Sequence, residues 1–159
     1  MNGEELNAQD DVFVWREWEC LGVNAGITGR VFTGKNMTCD IRRLAAILNV
    51  NDHRCIYLDQ HHSADIVTDD GAMSGVFRGD GIVTGHGDLL MVIRTADCFP
   101  VFLCSPERSV AALLHVGWKP AWRGILENTL VLLRERYHCD PAELKVLLGP
   151  GLQRCCFEV

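Results

Sequence analysis

Residues 89–118 read LLMVIRTADCFPVFLCSPERSVAALLHVGW. Three runs, LLMVIRT, PVFLCS and SVAALLHV, are nearly continuous in apolar and β-branched residues and are broken by aspartate, proline and serine. That texture is expected of strands covered on both faces, where alternation is lost. Upstream, CIYLD (55–59), DIVT (65–68) and GIVT (81–84) read as further short strands. Downstream, residues 121–137 carry an apolar stripe of Trp122, Ile125, Leu126, Leu130, Leu133 and Tyr137, a helix with Pro120 at its first position. VLLGPG (146–151) reads as a last strand ending in a tight turn.

The first third of the chain is less regular. Residues 12–20 and 26–33 read as strands. Thr38 then caps a helix whose Ile41, Leu44, Ala45 and Leu48 form one stripe. Two helices grouped among many strands, rather than alternating with them, define an α+β protein.

Composition narrows the class. The 159 residues are expected to form one domain over 1–159, with the polar, acidic segment 1–11 as a flexible tail. No apolar run approaches the ~20 residues of a membrane-spanning helix, and no apolar leader opens the chain, so a cytoplasmic protein without membrane contact is expected. A net charge of −6 argues against nucleic-acid binding, which needs a basic surface. Eight cysteines stand at 20, 39, 55, 98, 104, 139, 155 and 156, with no Cys-x-x-Cys among them. Neither a zinc ribbon nor a disulfide framework is therefore expected, and most should be small buried thiols.

Cys98 is the exception. It sits between two strands in TADCFP, His115 closes the next strand, and Gln60-His61-His62-Ser63 follows CIYLD. Strand ends can converge, and a thiolate with two imidazoles is a good zinc donor set with an open fourth position. Cys98 as a nucleophile activated by His115 is a second reading. Ordinary core residues are the bland alternative to both, because the three lie too far apart in sequence to form a local metal motif. Lys119 and Arg123 flank the start of the following helix and would suit a phosphate; solvated cations beside core tryptophans are the alternative there. Thr84-Gly85-His86-Gly87-Asp88 reads as a hairpin turn.

Five ordered segments resemble the YfiH-like laccase-domain family, also described as a polyphenol oxidase and purine nucleoside phosphorylase family. They are Gln60-His61-His62-Ser63, Gly79-Asp80-Gly81-Ile82-Val83-Thr84, Thr95-Ala96-Asp97-Cys98-Phe99-Pro100-Val101, His115-Val116-Gly117-Trp118, and Gly149 to Val159 with its Cys155-Cys156 pair. The resemblance implies a four-layer α/β/β/α sandwich of mixed sheets and a divalent-metal site at His62, Cys98 and His115, with zinc expected and copper the alternative. It also implies phosphorolysis of purine nucleosides, with adenosine deamination beside it. Copper-dependent phenol oxidation and peptidoglycan-precursor editing are further family attributions. Nucleoside and phosphate would be the partners of a monomer or homodimer. Asp97 and Glu158 are candidate general acids, with Asp97 grouped with Cys98 and His115 as catalytic.

The departures from the family pattern bear on the phosphate side. Lys119-Pro120-Ala121-Trp122 intervenes before Arg123-Gly124, and the family's N-terminal arginine segment is reduced to Thr28-Gly29-Arg30-Val31-Phe32. Arg42 or Arg43 answers to the arginine of the family's first helix, so Arg42 joins Lys119 and Arg123 as candidate phosphate ligands. Family chains continue past Phe157-Glu158-Val159, so a C-terminally shortened and incomplete sandwich is expected, with a non-catalytic remnant as the rival to an active enzyme.

Overall fold

A computed structural model describes residues 12–29, 37–48 and 54–156. The chain divides into two compact units, residues 1–52 and 53–159. The expected tail over 1–11 lies outside the described residues.

In the first unit, β1 (Val12–Val14) pairs antiparallel with β2 (Gly26–Thr28). The strand expected over 12–20 stops at Val14, because a 3-10 helix (Arg16–Leu21) follows. Trp18 is buried by this turn, and Gly22, in the left-handed region at φ 75°, returns its N–H to Glu19. Burying an indole outweighs the weak strand alternation of a stretch holding Arg16, Glu17 and Glu19. Helix α1 runs Met37–Leu48 as its stripe predicts, but it begins one residue before Thr38, which lies within its first turn rather than capping it. Of the strand expected over 26–33, the described part ends at Thr28.

The second unit holds β3 (Cys55–Asp59), β4 (Ile66–Thr68), β5 (Gly75–Arg78), β6 (Gly81–Thr84), β7 (Leu90–Val92), β8 (Phe99–Ser105) and β9 (Val110–Val116). After them come α2 (Trp118–Trp122), α3 (Ile125–Tyr137), a 3-10 turn (Pro141–Glu143) and β10 (Lys145–Leu148). Five strands form one mixed sheet in the order β10-β8-β9-β6-β4, antiparallel except for β4–β6. The other three form a parallel sheet, β5-β3-β7.

Side chains on successive residues of β6 explain the layering. Ile82 packs with Ile56 and Leu58 of the parallel sheet, whereas Val83 packs with Leu114 and Leu133 on the side of α3. Strand side chains alternate faces, so a central strand covered on both must be apolar throughout. Ile82, Val83, Ile56, Leu58 and Leu114 are all fully buried. Each such side chain contributes about 1.5–3 kcal/mol on leaving water. The unit is thus helix, five-stranded sheet and three-stranded sheet: an α+β protein of mixed sheets, with three layers of the expected sandwich inside residues 53–159.

Three local expectations change. Residues 84–88 do not close a hairpin, because β6 and β7 lie in different sheets. β5, GVFR, departs from the expectation that strands show apolar runs: its residues are mostly exposed, and it is held by backbone pairing to β3. The helix expected over 121–137 is two helices broken at Arg123-Gly124, where Gly124 takes φ 81°. Pro120 is the third residue of α2, within the first turn, where a helix needs no N–H.

Candidate metal centre

His62, Cys98 and His115 come together. Their donor atoms lie within 4.8 Å of one another, and no other cluster of three such groups occurs among the described residues. His62 lies on the loop after β3, Cys98 immediately before β8, and His115 is the penultimate residue of β9. Phe99 pairs with Val116 and Pro100 with His115, so the β8–β9 register itself carries the cysteine to the histidine. Cys98 Sγ is 3.9 Å from His62 Nε2, and the two imidazoles meet edge to face with centroids 4.9 Å apart.

Gly117 makes that approach possible. A Cβ there would stand 2.5 Å from Cys98 Sγ and 3.5 Å from the His62 ring. Any side chain at 117 would therefore displace a donor.

Behind the three donors lies Asp80, with no exposed surface. Its Oδ1 is 2.8 Å from His115 Nδ1 and accepts the His62 N–H at 3.1 Å. Its Oδ2 accepts the Ser63 N–H at 2.6 Å, the Ser63 hydroxyl at 2.8 Å and the His61 N–H at 3.3 Å. Burial pushes this carboxyl up, but the hydrogen bonds from His115, Ser63 and His61 outweigh it and hold it below the usual carboxylate range. His62 sits at φ 59°, a conformation uncommon for a residue with a Cβ. Both of its backbone polar groups are clamped, the N–H by Asp80 and the carbonyl by Arg123 at 2.7 Å.

Sequence reading did not single out Asp80. The available signal was a lone carboxylate between two glycines at the mouth of a buried strand, which has no special meaning until the donors around it are known.

The Cys98 thiol is pushed up, first by burial and then by the negative charges of Asp97 and Asp80. Cysteine nucleophiles have the opposite tuning. A cation beside the sulfur would reverse it, since a coordinating thiol is deprotonated.

The other candidates are spread around this point. Asp97 is exposed beside Cys98, and its carbonyl accepts the Leu152 N–H at 2.9 Å. Arg123 is committed to the His62 carbonyl, and Lys119 lies over the Trp118 ring at 5.4 Å. Trp118 and Trp122 are not core residues: they are 56% and 88% exposed, because α2 projects the segment that intervenes before Arg123. Arg42 is exposed on α1 of the first unit. Glu158 lies outside the described residues. Among the described side chains no cysteine forms a disulfide; Cys55, Cys104 and Cys139 are buried, and Cys20, Cys155 and Cys156 are exposed.

A mixed-sheet α+β sandwich with one cysteine and two histidines gathered at its strand ends defines the class of protein. The chain belongs to the laccase-like YfiH family: the family described as multi-copper polyphenol oxidoreductase laccase matches residues 33–159. A purine nucleoside phosphorylase of Clostridium acetobutylicum is 32% identical over 119 residues, spanning 75% of this chain and 49% of that protein. The purine nucleoside phosphorylase YlmD of Geobacillus stearothermophilus is 32% identical over 130 residues, spanning 74% of this chain and 46% of that one. The crystal structure of that YlmD matches with a TM-score of 0.67 at 29% identity, covering 74% of this chain and 47% of the other. The fold also matches the Bacillus licheniformis protein YfiH, with a TM-score of 0.84 at 24% identity, over 99% of this chain and 68% of that one. This chain thus spans about half the length of these curated relatives.

Proposed function

We propose that the chain is a metal-dependent enzyme acting on purine nucleosides, with His62, Cys98 and His115 holding zinc and copper as the alternative ion. The observation that carries this is the convergence of the three donor atoms from three separate strand ends. Their chemistry fits: tetrahedral zinc sites are built from thiolate and imidazole, and a set of three protein donors leaves a position for substrate. When bound, the ion would supply Lewis-acid polarisation of an oxygen on phosphate or water. Imidazole and thiolate donors together suit zinc or copper(I) better than magnesium or calcium.

The reaction supported best is phosphorolysis, by the names of the relatives. A phosphate oxygen forms the new bond to ribose C1′ as the C1′–N9 bond breaks. The electron pair leaves with the purine, which takes up a proton. Asp97, exposed beside the donor cluster, is the group proposed to hold that proton in transit. Lys119 is the proposed phosphate contact, with Arg123 acting mainly through the His62 loop. Adenosine deamination at the same centre would instead join a water oxygen to C6 and release the amino group as ammonia.

The test is turnover of inosine and adenosine with and without phosphate, by the full chain, alongside Cys98→Ala and His115→Ala. Phosphate-dependent release of hypoxanthine, abolished in both variants, is expected. Release that survives in either variant would overturn the assignment.

A further inference from the structure

We propose that Asp80 is the positioning residue of this centre, setting the tautomer of His115 and the loop conformation of His62 through the two oxygens of one carboxylate. The proposal rests on the metal reading for its purpose, but its geometry stands apart from it.

An ionised carboxylate can only accept hydrogen bonds. The 2.8 Å contact from His115 Nδ1 to Oδ1 therefore requires the proton on Nδ1. That leaves the Nε2 lone pair free as the donor atom. The same Oδ1 takes the His62 N–H, so the two histidines share one acceptor. Oδ2 collects the remaining donors, two amides and the Ser63 hydroxyl, which wrap the loop 61–63 around the carboxylate. This many converging donors hold His62 at its positive φ, where it would otherwise be disfavoured. The His61 ring also faces this carboxylate, with Nδ1 3.7 Å from Oδ2, while its Nε2 pairs with Asp65 at 3.1 Å.

Asparagine has nearly the same shape but only one acceptor oxygen. With that oxygen turned to the loop, its NH2 faces His115 Nδ1, which must become an acceptor and move its proton to Nε2. The nitrogen needed for the metal is then blocked. With the oxygen turned to His115, the NH2 opposes the amides of residues 61 and 63 and the His62 loop loses its anchor. Either way one donor of the three is lost.

The experiment is long-range proton–nitrogen NMR of the histidine rings in the full chain at neutral pH, paired with zinc titration against a chelator. Wild-type His115 is expected as the Nδ1–H tautomer before zinc is added. In Asp80→Asn the signal moves to Nε2–H, or the His62 loop amides shift with His115 unchanged, and zinc affinity falls roughly tenfold to a hundredfold. Asp69→Asn is the control, because Asp69 is the other fully buried carboxylate among the described residues and serves Arg54 and Thr84 instead. It should lower stability while leaving the His115 tautomer and the zinc affinity unchanged.

An Nε2–H tautomer in the wild type overturns the proposal even if Asp80→Asn fails to fold. So does a folded Asp80→Asn chain that binds zinc as the wild type does. Absence of zinc binding by the wild type would sink the metal reading instead, and the tautomer would still decide whether Asp80 orients His115.

Discussion

The contact between Gly117 and Cys98 shows how little room the centre has. A methyl group at 117 would lie 2.5 Å from Sγ, well inside van der Waals contact, so the thiol must swing away. Gly117→Ala is therefore expected to weaken zinc binding roughly tenfold, as loss of a supporting contact around a metal does. Chelator competition would measure it, and an unchanged affinity would contradict the close approach. At this scale the sequence was informative about the donors but not about their support. His62, Cys98 and His115 stand at strand ends and carry recognisable ligand chemistry. Asp80 looks like any turn aspartate, and its role emerges only when the amides of 61–63 and the His115 ring fold around it.

Among the elements, apolar runs were legible and their partners were not. CIYLD, GIVT, PVFLCS and SVAALLHV are strands as read, since each is buried enough to leave an unbroken apolar signature. Their distribution into a five-stranded and a three-stranded sheet depends on long-range pairing. That is why residues 84–88, a plausible hairpin by composition, instead pass from one sheet to the other. The break between α2 and α3 has a similar origin. The apolar stripe runs through Trp122, yet Gly124 turns left-handed and starts a new helix. Gly124→Ala forces a Cβ into that conformation, at a cost of roughly 1–2 kcal/mol. Space is not the obstacle, as only the Glu127 carboxylate comes within 3.6 Å. Urea unfolding should show the loss, and a variant as stable as the wild type would refute the strain.

Across the described residues, two buried aspartates tie stability to pH. Asp69 is pushed up by burial, but Arg54, whose Nη2 donates to both carboxylate oxygens, the Thr84 hydroxyl and the Gly71 N–H outweigh this and hold it low. Asp80 is held low in the same way. Carboxyls depressed on folding contribute stability that is fully present above the unfolded value of about 4 and lost as pH falls through the lower folded values. The denaturation midpoint should therefore fall as pH drops from about 5 toward 3. A midpoint that rises over that window would contradict the role given to both aspartates.

The family was legible from five short segments, three of which carry the donors His62, Cys98 and His115 and a fourth Asp80. The layering was less so, since it rests on contacts between β6 and two different partners.

The centre itself is tested most directly by the zinc content of the purified full chain after equilibration with zinc and removal of excess. One zinc per chain is predicted for the wild type, with none retained by Cys98→Ala or His115→Ala while both stay folded. Zinc held equally by the wild type and by both variants would show that the ion sits elsewhere.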